Sequence, residues 1–139
     1  MSVFALETDK RWTTGYISGI FDGFHIGHLN LIRRAKERCD RLVVGVLSDD
    51  AVMQIKHEPP TVKLQDRIAI IEALKYVDEV DVTSPVLLNK VAAWHRYKFD
   101  AMFSGDDHLH DAGWTWEEEL LNNLGAELVF FSYTEGVDA

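Results

Sequence analysis

The chain has 139 residues, 47% of them hydrophobic, which suits one globular domain with a sizeable core. Fourteen basic against 23 acidic residues give a net charge of −9, which argues against nucleic acid or an anionic membrane surface as partner. The one cysteine, Cys39, cannot make an internal disulfide, no apolar run approaches the roughly 18 residues of a membrane span, and Glu7, Asp9, Lys10 and Arg11 stand where a signal peptide would be apolar, so a soluble cytoplasmic protein without membrane insertion is expected.

Residues 1–14 read as a polar N-terminal extension and residues 15–139 as the domain proper. Tyr16 and Ile17 close an apolar run that leads into Gly19-Ile20-Phe21-Asp22-Gly23-Phe24-His25-Ile26-Gly27-His28. Leu29, Ile32, Ala35 and Cys39 then recur at helical spacing and predict an amphipathic helix over 29–39. The valine-rich run Leu42–Leu47 has the pattern of a strand buried on both faces of a parallel sheet. Asp49 to Lys63 is polar and contains Pro59-Pro60, which predicts a loop. Leu64, Ile68, Ile71 and Leu74 form a second helical stripe, Glu79–Thr83 a short strand, and Leu87–Tyr97 a third helix. Ala101–Ser104 reads as a fourth strand, Trp116–Leu124 as a helix stopped by Gly125, and Leu128–Ser132 as a fifth strand. This alternation implies a single Rossmann-like α/β domain, a doubly wound five-stranded parallel sheet with helices on both faces. Ligands of such sheets lie at the C-terminal ends of the strands, where Gly19–His28, Ser48–Lys56 and Gly105–His108 all fall.

The first of these stretches is strand, glycine-containing turn and helix start, the place where an α/β protein cradles phosphate on a helix N-terminus. His25 and His28 stand three apart, so a helix begun by His25 puts both imidazoles on one face, and Gly27 between them has no Cβ to obstruct a phosphate. Two such donors can bind the charge that develops on phosphorus during phosphoryl or nucleotidyl transfer. The pair could also be half of a zinc site, but no third ligand stands nearby at helical spacing and His108 and His110 are remote. Neither a Gly-x-x-x-x-Gly-Lys-Ser/Thr nor a Gly-x-Gly-x-x-Gly occurs, which argues against a P-loop nucleotidase and a dinucleotide dehydrogenase.

The segment resembles the nucleotidyltransferase superfamily with the His-x-Gly-His signature, and within it the small cytidylyltransferases that act on glycerol 3-phosphate or phosphocholine. The likeness runs from about Gly15 to Gly136. It includes Ser48-Asp49-Asp50 after the second strand, Arg67 with Tyr76-Val77-Asp78-Glu79-Val80, Gly105-Asp106-Asp107, and Thr134-Glu135-Gly136. The resemblance implies transfer of CMP from CTP to a small phospho-alcohol, most simply glycerol 3-phosphate, with release of pyrophosphate. It assigns His25 and His28, with the backbone N–H groups of Ile20 and Phe21 beside Gly19, to the α- and β-phosphates. Lys56 becomes a counter-charge on the acceptor phosphate or triphosphate, and Arg67 either a phosphate partner or a surface salt bridge with Asp66 or Glu58. Asp22 would hold the turn or help bind metal, Gly105 and Asp106 would meet the nucleotide sugar or base, and Thr134 would open a triphosphate-holding motif. Mg²⁺ is implied with the nucleotide and without a dedicated protein site, since an acidic chain handling a triphosphate must borrow positive charge. A homodimer is also implied.

Two departures from the family pattern point to an alternative, a nucleotide-binding relative with little catalysis. Where relatives carry a second lysine this chain reads His57-Glu58-Pro59-Pro60, and Thr134-Glu135-Gly136 continues as Val137-Asp138-Ala139 in place of a Ser/Thr cluster. Trp94 is expected in the core, Trp114 and Trp116 in packing, and Glu117-Glu118-Glu119 as a solvated first helical turn.

Overall fold

A computed structural model describes residues 11–105 and 112–131, with side chains in the second stretch from Trp116 onward. The elements in order are β1 (Trp12–Gly19), α1 (Ile26–Lys36), β2 (Cys39–Leu47), α2 (Asp49–Lys56), α3 (Leu64–Glu72), β3 (Glu79–Thr83), a 3₁₀ turn (Pro85–Leu88), α4 (Lys90–Tyr97), β4 (Ala101–Gly105), α5 (Ala112–Asn123) and β5 (Glu127–Phe131). All strand pairs are parallel, in the order β3-β2-β1-β4-β5. The five-stranded parallel architecture is therefore the expected one.

Period-two alternation sorts each strand between two cores. Ile17, Val44 and Val46 face Ile32 and Ala35 of α1 and Ile71 of α3, whereas Tyr16, Val43 and Met102 face Ala93 of α4 and Leu121 of α5. Helices thus cover both faces. The valine run of β2 is interrupted at Gly45 because a side chain there would collide with the Thr83 hydroxyl, which lies against the buried Tyr16 hydroxyl.

β1 pairs with β2 along its length, from Trp12↔Cys39 to Gly19↔Val46, but with β4 only at Gly15↔Ala101 and Tyr16↔Met102. Past Tyr16 these neighbours part, at the point where the strand order reverses. Such a switch point leaves a crevice above the C-terminal ends of the strands.

Several boundaries differ from the sequence reading, each for a local reason. β1 starts at Trp12, so residues 12–14 belong to the domain. The first helix spans 26–36, and Cys39 opens β2 instead of ending the helix, its thiol pushed up to about 11 chiefly by burial. Residues 49–56 form a helix and not a loop: Ser48 accepts the Ala51 N–H at 3.1 Å, Asp49 and Asp50 suit the N-terminal dipole, and His57 closes the helix at φ 64°. Only the segment around Pro59-Pro60 is loop. The third helix divides into the 3₁₀ turn and α4, because Asn89 caps α4 by accepting the Val91 and Ala92 N–H groups. α5 begins at Ala112, so Glu117–Glu119 lie inside the helix. Gly125 follows it at φ 91°. The fifth strand is Glu127–Phe131, and Ser132 lies outside the described residues.

Candidate active site

The site grows from the β1–α1 turn. Phe21 takes a left-handed conformation at φ 55°, which costs a non-glycine residue roughly 1–2 kcal/mol. Burial of its ring, 5% exposed, offsets that cost. Gly19 makes the placement possible, since a Cβ there would stand 2.8 Å from the ring. Gly23, at φ 74°, completes the reversal into α1.

His25 is the N-cap of α1 with extended backbone. Its Nδ1 accepts the Gly27 N–H at 3.0 Å, and the Nδ1 of His28 accepts the His25 N–H at 3.1 Å. The two rings stack at 3.9 Å between centroids. A neutral imidazole that accepts at Nδ1 carries its proton on Nε2, so this reciprocal cap fixes both tautomers and leaves two Nε2–H donors. Phe21 stands edge-on to His28 at 5.6 Å, and Phe24 lies 5.4 Å from the same ring. Burial first, and the neighbouring His25 second, lower the pKa of His28 to about 4. His28 is therefore a neutral donor at physiological pH. Gly27 is buried, and its N–H is bound to His25 instead of being offered to a ligand.

A cleft of about 840 Å³ opens at the parting of β1 and β4. Gly19, Ile20, Phe21, Asp22, His28, Lys56 and Gly105 line it, so seven expected site residues meet on one rim. His25 is exposed beside it, and Lys56 is exposed at the last turn of α2. Asp106 and Thr134 lie outside the described residues.

Arg67 is placed otherwise than expected. Its side chain is 0% exposed, and it donates to the carbonyls of Val62 at 2.9 Å, Ile20 at 2.9 Å and Leu47 at 2.8 Å and to Asp49 Oδ1 at 2.9 Å. The guanidinium is enclosed under the rim, where it ties β1's end, β2's end and the Pro59-Pro60 loop together. It is neither a phosphate ligand nor a surface ion pair with Asp66 or Glu58. Asp22 has a matching role: its two oxygens accept the Thr61 and Val62 N–H groups, both at 2.8 Å. Those bonds hold its carboxyl below the ordinary carboxylate range. Among the described residues no group of three or more His, Cys, Asp and Glu could hold a metal ion. Asp22, the carboxylate expected to hold the turn or help bind metal, is taken up by the backbone N–H groups of the loop.

The sequence reading missed one residue of the cleft wall and the side chain that pairs with it. Lys90, the first residue of α4, lines the cleft and is 7% exposed, and its ammonium meets Glu117 Oε1 at 2.9 Å. Glu117 is thus engaged across the α4–α5 interface instead of solvated. A lysine in the first position of a helix opposes the dipole, which is the signal that could have marked it. Trp94 packs at the edge of the second core, whereas Trp116 is 65% exposed and does not pack as expected. The side chain of Trp114 lies outside the described residues.

The comparisons with known proteins agree with this geometry. Residues 16–133 match the family model described as cytidylyltransferase-like. The FAD synthase of Thermococcus kodakarensis is 31% identical over 92% of this chain and 85% of its own length. The ethanolamine-phosphate cytidylyltransferase of Arabidopsis thaliana is 37% identical over 66% of this chain, which spans only 22% of that protein. A lipopolysaccharide core biosynthesis protein from Thermoplasma volcanium superposes with a TM-score of 0.72 at 25% identity, covering 87% of this chain and 97% of that one. No helix among the described residues is long and apolar enough to cross a membrane. With the family model spanning nearly the whole domain and the His-x-Gly-His turn on the switch-point rim, the chain belongs to the cytidylyltransferase-like family of the nucleotidyltransferase superfamily.

Proposed function

We propose that this protein transfers CMP from CTP to the phosphate of a small phospho-alcohol, most simply glycerol 3-phosphate, giving a CDP-alcohol and pyrophosphate. The observation that carries the reaction type is the reciprocal cap, which aims two Nε2–H donors from the start of α1 beside the cleft. An oxygen of the acceptor phosphate forms a bond to the α-phosphorus, and the bond between that phosphorus and the bridging oxygen to the β-phosphate breaks. The bonding pair leaves with pyrophosphate. The nucleophile is already anionic, so no strong general base is required; alignment and charge neutralisation do the work. His25 and His28 donate to oxygens that gain charge, and Lys56 supplies a cation from α2. Mg²⁺ accompanies the nucleotide and neutralises its phosphates when bound.

A second reading is supported by the archaeal FAD synthases, which match over most of their own length. The same step with an adenylyl donor and a flavin phosphate acceptor makes FAD. Pyrophosphate release assayed with CTP and ATP, each against glycerol 3-phosphate, phosphoethanolamine, phosphocholine and FMN, separates the readings. Turnover with CTP and a phospho-alcohol is expected. Turnover only with ATP and FMN moves the assignment to FAD synthesis, and CTP binding without turnover on any pair leaves a nucleotide-binding relative. We also propose a homodimer, supported by the exposed Ile26, Val86 and Trp116, 56%, 72% and 65% accessible. Sedimentation giving a monomer mass at micromolar concentration would overturn it.

A further inference from the structure

The space left by Gly45 within β2 is filled by hydroxyls. A Cβ there would collide with Thr83 Oγ1 and stand 2.9 Å from the Tyr16 hydroxyl. Both of those side chains are 0% exposed, and their oxygens lie 3.4 Å apart. Ser18, the register partner of Gly45 on β1, is the second side-chain hydroxyl that bonds to Tyr16. It is half-buried and lines the cleft. Three hydroxyls therefore run in a row from Thr83 on β3 to Ser18 on the cleft wall. Burial, the largest influence on Tyr16, raises its pKa and keeps the middle hydroxyl protonated.

Stability alone does not explain this row. Glycine within a strand weakens it, and a buried hydrogen-bonded pair replaced by apolar groups of the same shape can leave stability nearly unchanged. The row does have a use at its open end. Three hydroxyls linked by two bonds use two of their three protons. In one sense the last proton is delivered at Ser18, and in the other Ser18 accepts. A ligand hydroxyl, which also donates and accepts, matches either sense.

An ammonium group does not. It only donates or, when quaternary, makes no hydrogen bond, and it needs a carboxylate or an aromatic cage. On the wall that carries Ser18, built from β1, β4, the 3₁₀ turn and α4, no carboxylate lines the cleft, and the charged member is the cation of Lys90. Asp81, the carboxylate that acts on Tyr16, is taken up by the Tyr97 hydroxyl at 2.6 Å, Arg96 Nε at 3.0 Å and the Val82 N–H at 2.8 Å. Tyr16 belongs to the second core, whereas His25 and His28 open α1 on the opposite face of the sheet. In-line transfer puts the incoming acceptor opposite the departing pyrophosphate. With the triphosphate over the start of α1, the body of the acceptor meets the wall of Ser18.

We propose that Ser18 selects an acceptor phosphate bearing hydroxyl groups, a polyol phosphate, over one bearing an ammonium group, with Tyr16 and Thr83 as the positioning residues behind it. The proposal rests on the nucleotidyl-transfer reading and names the acceptor class. Glycerol 3-phosphate and the ribityl phosphate of FMN share that chemistry; phosphoethanolamine and phosphocholine lack it.

With CTP, kcat/KM should favour glycerol 3-phosphate over phosphoethanolamine by about tenfold or more, and Ser18→Ala should bring the two within about threefold. Tyr16→Phe should remove part of the preference. Added to Ser18→Ala it should remove no more, as only a residue acting through Ser18 would show. If ATP with FMN is the productive pair, the same ratio is read against a flavin phosphate whose linker is a bare alkyl chain. Titration of glycerol 3-phosphate, FMN and phosphoethanolamine into the CMP-saturated protein, followed by amide chemical shifts, needs no turnover. Turnover that favours phosphoethanolamine or phosphocholine, or a preference indifferent to Ser18, overturns the proposal while the transfer reading stands. Absence of turnover, with a binding preference for a hydroxylated probe that Ser18→Ala erases, overturns the transfer reading and keeps the hydroxyl site. Binding without preference, or of no probe, overturns the site itself. If Ser18→Ala does not fold, Tyr16→Phe decides alone: the preference should fall severalfold, and an unchanged one overturns the proposal.

Discussion

Asp22 and Arg67 grip the same residue from its two sides: Asp22 accepts the Val62 N–H at 2.8 Å, and Arg67 donates to the Val62 carbonyl at 2.9 Å. The loop that walls the cleft is thus fastened to the β1 turn by one side chain and to the strand ends by another. Arg67→Met should therefore act on stability before chemistry. It strips the carbonyls of Ile20, Leu47 and Val62 of their donor inside the protein, a loss of about 3 kcal/mol or more. Urea denaturation measures it. A variant of wild-type stability that has lost only nucleotide affinity would return Arg67 to the role of phosphate ligand.

Asp22→Asn replaces one of two acceptor oxygens by an amide that cannot receive an N–H. Amide exchange at Thr61 and Val62 should speed up while the core strands keep their protection. In the wild type the carboxyl is held below its ordinary value, chiefly by the Thr61 and then the Val62 N–H. Its contribution is therefore complete above the unfolded carboxylate's pKa and is lost as pH falls through the lowered one. Protection of the loop should persist at pH 5, and its disappearance between pH 7 and 5 would assign the clamp to another group.

His25→Ala and His28→Ala should each lower kcat by about 100-fold, near 3 kcal/mol, with a much smaller change in nucleotide affinity. Single-turnover rates beside calorimetric binding make the comparison. Near-normal turnover in either variant removes the reaction mechanism proposed for the pair.

Protonation of His28 offers an independent test. The ordinary value of 6.5 falls to about 4 in the folded chain, so the native state resists a proton that the unfolded chain accepts. The stability linked to this group is fully present above pH 6.5 and declines as pH falls toward 4. His28→Gln should flatten that part of the stability–pH curve in urea titrations at successive pH values. An unchanged slope would place the titration elsewhere.

Gly19→Ala tests the support beneath the histidines. The added methyl would stand 2.8 Å from the Phe21 ring, which cannot withdraw without disturbing His28. Overpacking of this kind costs about 2 kcal/mol. Turnover should fall more than a stability change of that size would explain, and an active variant with an unshifted His28 resonance would contradict the linkage.

The sheet, its parallel sense and the position of the cleft were legible because strand runs and helical stripes depend on local periodicity. The His-x-Gly-His turn was legible because glycine spacing and the step from strand to helix are written consecutively. Partnership across the fold was not. Arg67 and Asp49 meet over a separation of 18 residues, and Lys90 and Glu117 over 27. Nothing in the neighbourhood of either member reveals the other. The α2 helix was overlooked because the two prolines beyond its end outweighed a Ser-Asp-Asp start that the sequence displays.

The reciprocal cap has one more consequence. Rotating either imidazole by a half-turn would exchange Nδ1 for a carbon and abandon a backbone N–H, so each ring has a single seat. The ordering entropy of the two donors is therefore met when the chain folds and not when substrate reacts. Charge developing on phosphorus encounters dipoles already aimed, with no solvent shell to reorient.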